Sequence, residues 1–217
     1  MESRPYALAE AVGTLKKFPV PKFDPTVTIS FRMGVDPKKS DQMVRGSVTL
    51  PHGTGKSVRV AVFAQGDAAK AATDAGADHV GYEDLIKKVQ EGFTDFDAAI
   101  ATPDAMSEVR KIARVLGPRG LMPNPKTGTV TDDTATAVKA AKAGKVDFKL
   151  DKNANISAAI GKASFSEDQL QENAESLIDS VVKAKPASAK GNYIENITLT
   201  ATMLPGLKLE NSAAIAD

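Results

Sequence analysis

Apolar and polar residues alternate strictly over Thr26–Met33, "TVTISFRM", where Val27, Ile29, Phe31 and Met33 stand against Thr, Ser and Arg. That period of two marks a half-buried strand. Just upstream, Leu8, Val12, Leu15 and Phe18 recur at near-helical spacing, and Pro19 and Pro21 stop the helix they predict. "MVRGSVTL" (Met43–Leu50) reads as a weaker strand, and the turn-prone "GVDPKKSDQ" between the two predicts an antiparallel pair. After "PHGTGK" the pattern changes. Apolar runs "VRVAVFA", "DHVGY" and "FDAAIAT" alternate with the helical "GDAAKAATDAG", "EDLIKKVQEG", "PDAMSEVRKIARVL" and "DDTATAVKAAKAG". Strand and helix in turn, with short connections, predict βαβ units around a small parallel sheet.

Beyond Gly144 the first pattern returns. "KVDFKL" and "NISAAIGKASF", joined by "DKNAN", predict an antiparallel hairpin. "SEDQLQENAESLIDSVVKAKP" opens with a capping box, Ser166 and Gln169, and carries Leu170, Ala174, Leu177, Ile178, Val181 and Val182 on one face. "NYIENITLTATM" then alternates once more. The ends resemble each other and the middle does not. The predicted architecture is therefore α/β and α+β in two domains: a discontinuous α+β domain from residues 1–53 plus 145–217, and an inserted Rossmann-like α/β domain over 54–144.

Composition removes several functions. The 217 residues contain no Cys, which excludes disulfides and thiolate chemistry and fits a reducing cytoplasm; only two His are present, without the spacing of a zinc site. No apolar run reaches membrane-spanning length. "HGTGKS" suggests a phosphate loop, but Leu50 stands where the leading glycine belongs and the loop precedes its strand. "AQGDAAKAA" offers one glycine where a dinucleotide fingerprint needs three, so an enzyme built on the Rossmann-like middle is the weaker alternative. No catalytic constellation, metal set or cofactor motif emerges, and His52, alone in a loop, reads as solvated. What stands out is backbone shape and cation, which suits binding.

"LGPRGLMPNPKTGTV" (Leu116–Val130) holds three prolines and three glycines in fifteen residues and predicts an ordered surface loop. From Val109 to Thr131 there are five cations (Arg110, Lys111, Arg114, Arg119 and Lys126) and no acid, in a chain of net charge +1. Such a patch attracts polyanions locally. The terminal segments supply further cations: Lys22 beside Phe23, Lys38, Lys39 and Arg45 in "DPKKSDQMVRG", and Lys162 in "GKASF". If both ends fold together, these converge on one face, with Phe23 placed for a sugar or base and Met203, in "TATM", divided between core and RNA contact.

Those stretches together, "LGPRGLMPNPKTGTV", "DPKKSDQMVRGSVTLPHGTGK", "KFD", "GKASF" and "TATM", closely resemble the bacterial-type stalk proteins of the large ribosomal subunit over about Tyr6–Leu209. The resemblance implies binding of large-subunit rRNA at the mobile stalk, help in releasing deacylated tRNA at the exit site, and repression of the protein's own mRNA. It implies a cytoplasmic, ribosome-associated protein with no catalysis, cofactor or obligate homo-oligomer. A stand-alone RNA-binding repressor outside the ribosome is the alternative. It also implies that the main rRNA surface is Lys22, Phe23, Thr28, Arg32, Lys39, Asp151, Asn153, Thr202 and Met203, to which the charge pattern adds Arg45 and Lys162. The basic loop, with Arg114, Arg119, Asn124 and Lys126, is then left to tRNA or more distant rRNA. Gly53, Ala143 and Gly144 are the implied hinge. Three features depart from the family: Leu204 replaces the usual glycine, which is expected to weaken close RNA approach; Met43 replaces the usual Asn; and the basic N-terminal leader is missing.

Overall fold

The computed structural model describes residues 4–19, 21–189 and 191–210. The chain divides into two compact units, Met1–Gly55 with Val146–Asp217 and Lys56–Lys145. Its architecture is mixed, α+β in the unit built from both ends and α/β in the other.

In the first unit, strands β1 (Thr26–Met33), β7 (Asn155–Lys162), β8 (Ile194–Ala201) and β9 (Leu207–Leu209) form one antiparallel sheet in the order β7-β1-β8-β9. The alternation of β1 buries Val27, Ile29, Phe31 and Met33 on the inner face. Helices α1 (Leu8–Lys16) and α7 (Glu167–Lys183) cover that face, adding Val12, Leu15, Leu170, Ala174, Leu177 and Val181 to a single core. The capping box of α7 forms as its sequence predicts: Gln169 N–H donates to Ser166 Oγ, and Gln169 Oε1 accepts from Ser166 N–H. Such a cap is worth about 1 kcal/mol. At the other end of the helix the buried Tyr193 phenol donates to the Val181 carbonyl, and burial pushes its pKa up to about 12.

Both predicted hairpins are wrong. Strand β1 does not pair with β2 (Arg45–Thr49), nor does β6 (Lys145–Lys149) pair with β7; instead β1 pairs with β7 and β8, while β2 and β6 form a separate two-stranded sheet. Length matching gives the reason. Strands β1, β7 and β8 each have eight residues and can bury a full inner face together, whereas β2 and β6 have five each. Turn chemistry reverses a chain but does not choose its partner.

Asn173 on α7, wholly buried, has a structural task that its polar identity did not announce. Its Oδ1 accepts from His52 N–H at 3.1 Å, and its Nδ2 donates to the carbonyls of Gly53 at 3.0 Å and Ile160 at 2.7 Å. His52 is not merely solvated either, since its Nε2 lies 2.6 Å from Glu172 Oε2.

The second unit has a three-stranded parallel sheet ordered β4-β3-β5, from β3 (Val60–Phe63), β4 (His79–Gly81) and β5 (Ala98–Ala101). Helices α2 (Gly66–Asp74) and α3 (Glu83–Gln90) supply the crossovers, and α6 (Thr134–Lys142) packs beside α2 against the sheet before the chain leaves this unit. The predicted helix after Pro103 is interrupted: α4 (Met106–Val109) and α5 (Ala113–Leu116) are separated by a tight turn of 3-10 helix over Arg110–Ile112. Among the described residues no helix is long and apolar enough to cross a membrane.

Candidate RNA interface

The outer face of the β7-β1-β8 sheet is a row of small polar side chains, because every inward apolar residue of β1 alternates with an outward polar one. Thr28 stands opposite Thr200, Ser30 between Ser157 and Thr198, and Arg32 between Asn155 and Asn196. The hydroxyls touch across strands, with Ser30 Oγ 3.0 Å from Ser157 Oγ. The family resemblance implied Thr28 and Arg32 for this face; Ser30, Ser157, Thr198 and Thr200, which lie beside them, were not singled out from the sequence. Their signal becomes visible only once the pairing of β1 is known.

At one end of this face several predicted residues meet. Thr202 N–H donates to the Thr26 carbonyl at 3.1 Å, and Lys162 Nζ donates to Thr26 Oγ1 at 2.9 Å and to the Asp24 carbonyl at 3.5 Å. Asp24 in turn accepts from the Ser164 hydroxyl at 2.8 Å and from its N–H at 3.1 Å. The segment Lys22–Asp24 is thereby tied to the start of β1, with Lys22 exposed and Phe23 49% exposed. Met203 is 84% exposed, which removes the core alternative for it. It lies past the end of β8, in a turn closed by Leu204 N–H to the Ala201 carbonyl at 2.8 Å.

The other end, about 20 Å away along six residues of β1, gathers Arg32, Asp151 and Asn153. A bulge in β8 between the partners of Arg32 and Met33 brings Glu195 onto the outer face, where its Oε2 receives Arg32 Nε at 2.9 Å. Bulges commonly re-aim a side chain in this way. Asp151 Oδ1 accepts from the N–H groups of Asn153 at 2.8 Å and Asn155 at 2.7 Å. The Asn155 N–H bond above all, with that of Asn153, holds the Asp151 carboxyl below its ordinary range against the opposing effect of desolvation. Leu150 N–H donates to the Val44 carbonyl at 2.9 Å, setting the backbone next to Arg45 beside the segment that leads to Asp151, and exposed Lys39 lies on the loop that leaves β1 here.

Ala154 and Met203 have positive φ, at 60° and 69°, the two non-glycine cases among the described residues. One stands in the turn before β7, the other after β8, so the strain brackets the two ends of the polar face. A left-handed alanine or methionine costs roughly 1 kcal/mol or more and persists only where neighbours enforce it.

The basic loop is built differently. Its backbone folds onto Asn124, whose N–H donates to Thr129 Oγ1 at 2.8 Å and whose carbonyl accepts from Thr127 and Thr129 N–H at 3.2 Å each. Lys145 Nζ donates to the Thr127 carbonyl, Arg119 donates to Thr94 Oγ1, and Lys111 pairs with Glu108 at 2.7 Å. Arg114 is exposed; the Lys126 side chain lies outside what the structure describes. Of the remaining predicted residues, Gly53 has φ 66° and is clasped by Asn173, while Ala143 caps α6 and Gly144, at φ 97°, ends it as a left-handed stop.

The family model of the ribosomal protein L1p/L10e family matches residues 15–205. Large ribosomal subunit protein uL1 of Corynebacterium kroppenstedtii is 55% identical over 209 residues, covering 96% of this chain and 88% of its own length. The same protein of Saccharopolyspora erythraea is 57% identical over 208 residues, with 96% and 87% covered, and that of Thermobifida fusca 54% identical over 211 residues, with 97% and 90% covered. A two-part α+β and α/β fold, a signature loop and matches along almost the whole chain agree: it belongs to the ribosomal protein L1p/L10e family, in the bacterial uL1 branch, whose members are RNA-binding ribosomal proteins and not enzymes.

Proposed function

We propose that the unit formed by both termini recognises the stalk-base region of large-subunit rRNA through the outer face of its sheet. The observation that carries this reading is the pairing of a hydroxyl-lined face with two exposed apolar side chains, Phe23 and Met203, at one end of it. A hydroxyl donates and accepts, as the ribose 2′-OH does, so Thr28, Ser30, Ser157, Thr198 and Thr200 suit sugar edges. Phe23 offers a flat surface to a base or sugar. Lys22, Lys39, Arg45 and Lys162 position phosphates around the face, and Asp151, Asn153 and Thr202 serve as polar contacts at its ends.

The finer role follows the family resemblance. We infer that the domain of residues 54–144 moves relative to the domain of residues 1–53 plus 145–217, by rotation in the two connections. Asn173 clasps Gly53, which leaves the first rotation to residues after it; Ala143 and Gly144 lie at the second. Such motion would accompany release of deacylated tRNA, for which we take Arg114, Arg119, Asn124 and Lys126 of the signature loop as the contacts. A similar RNA fold in the protein's own mRNA would occupy the rRNA surface and repress translation. The protein then works in the cytoplasm on the ribosome. The test is a salt titration of binding to a short RNA copying the stalk base, beside a scrambled duplex. Preference for the stalk RNA that persists as salt rises supports shape recognition, whereas equal and steeply salt-dependent binding to both refutes it.

A further inference from the structure

Leu204 is partly buried, packs against the core of the terminal unit, and walls a mainly apolar hollow of about 140 Å³ together with Leu15, Lys16, Phe18, Pro25, Ala163 and Leu170. On one side of it stands Met203, left-handed and almost fully exposed. On the other stands Pro205, which confines the residue before it to extended backbone. The turn is thus fixed at three points: Thr202 N–H on the Thr26 carbonyl, Leu204 N–H on the Ala201 carbonyl, and the Leu204 side chain on the core. The third residue of a four-residue turn with positive φ ordinarily calls for glycine or asparagine. Here neither is present, so the surroundings must hold the methionine there.

We propose that Leu204 is a positioning residue for RNA recognition, anchoring the turn so that Met203 is held in its left-handed conformation and projected from the end of the sheet. The inference rests on the reading of Met203 as an RNA contact. A glycine at 204, the residue implied by the family resemblance, would have no side chain to reach the core and far wider backbone freedom before Pro205. Leucine therefore sharpens presentation of Met203, and the loss of close backbone approach is offset by a rigid turn.

Four full-length single variants, Leu204→Gly, Leu204→Ala, Leu204→Met and Met203→Ala, and the double variant of Leu204→Gly with Met203→Ala test this. Two quantities are read, the affinity for the stalk-base RNA and the one-bond Cα–Hα coupling of residue 203, which reports positive φ in the free protein. Leu204→Gly is expected to weaken binding roughly tenfold and to average the coupling. Leu204→Met should keep both near the parent values. Leu204→Ala retains the Cβ that restricts the residue before proline and should fall between, which keeps the test open if the glycine variant folds poorly. Combined with Met203→Ala, Leu204→Gly should add no further loss, because the two act through one contact. Full additivity, or unchanged affinity and coupling in Leu204→Gly, overturns the positioning role alone. Unchanged affinity in Met203→Ala overturns the RNA reading beneath it, and with it any part for Leu204 in recognition.

Discussion

The outer face of the terminal sheet and the signature loop of the middle unit take opposite routes to a surface suited to RNA. The loop region has five cations and no acid between Val109 and Thr131, yet its polar backbone is turned inward onto Asn124 and two of its cations are engaged by Glu108 and Thr94. The sheet has little net charge to offer: Arg32 is balanced by Glu195, and Lys162 is directed at Thr26 and Asp24. It offers instead fixed hydroxyls and an apolar end. Charge draws any polyanion, whereas a rigid array of donors, acceptors and apolar groups distinguishes one RNA fold from another. On the proposed reading, density of cations in the sequence is a poor guide to where specificity resides.

The comparison breaks most readily at Phe23 and Met203. Removing both, as Phe23→Ala with Met203→Ala, should cost about 2–4 kcal/mol of stalk-RNA affinity, taking 1–2 for each packed base or sugar. Melting should stay near the parent value, because both side chains are exposed. Equilibrium binding that shows no loss in this variant would place recognition elsewhere. A smaller effect is expected at the middle of the face, where Ser30→Ala with Ser157→Ala should weaken binding by about 1 kcal/mol without altering its salt slope. A changed slope there would mean phosphates, not sugars, lie over the hydroxyls. Arg114→Gln with Arg119→Gln should change stalk-RNA affinity less than about twofold; a drop in salt slope of about 0.7 per cation would instead bring the loop into the same interface. The smallest effect concerns acid. The folded Asp151 carboxyl sits below its unfolded value of 3.8, so its contribution to stability is complete above that pH and is lost as pH falls through the folded value. Asp151→Asn should flatten the acid limb of the melting profile, lowering the melting point slightly at neutral pH, where the carboxylate contributes, and leaving it unchanged in strong acid.

Much of this was legible in the chain. The alternation of β1 and the Ser166–Gln169 box of α7 are local, and local rules found them. Pairing was not legible, because β1 meets partners more than 120 residues away and the turns beside it gave no hint of that exchange. The site suffered for the same reason. Serine and threonine face outward in any half-buried strand, so Ser30 and Ser157 mean nothing until the register sets them opposite each other. Glu195 was hidden further, since only a bulge turns it toward Arg32. Phe23 was read from the segments themselves, as a residue for a sugar or base beside the converging cations; the sequence alone left Met203 divided between core and RNA contact, and the family resemblance chose the latter.

The position of β1 has a consequence for the order of events during synthesis. Its neighbours on both sides are β7 and β8, which begin at Asn155 and Ile194, while the strands and helices of the middle unit run uninterrupted through the chain. On an elongating chain the middle unit is complete first, β1 then gains β7 as one neighbour, and its other edge stays unpaired until β8 follows. The face proposed for rRNA is therefore assembled only once β8 is made, and a chain stopped before Ile194 lacks one of the three strands that form it.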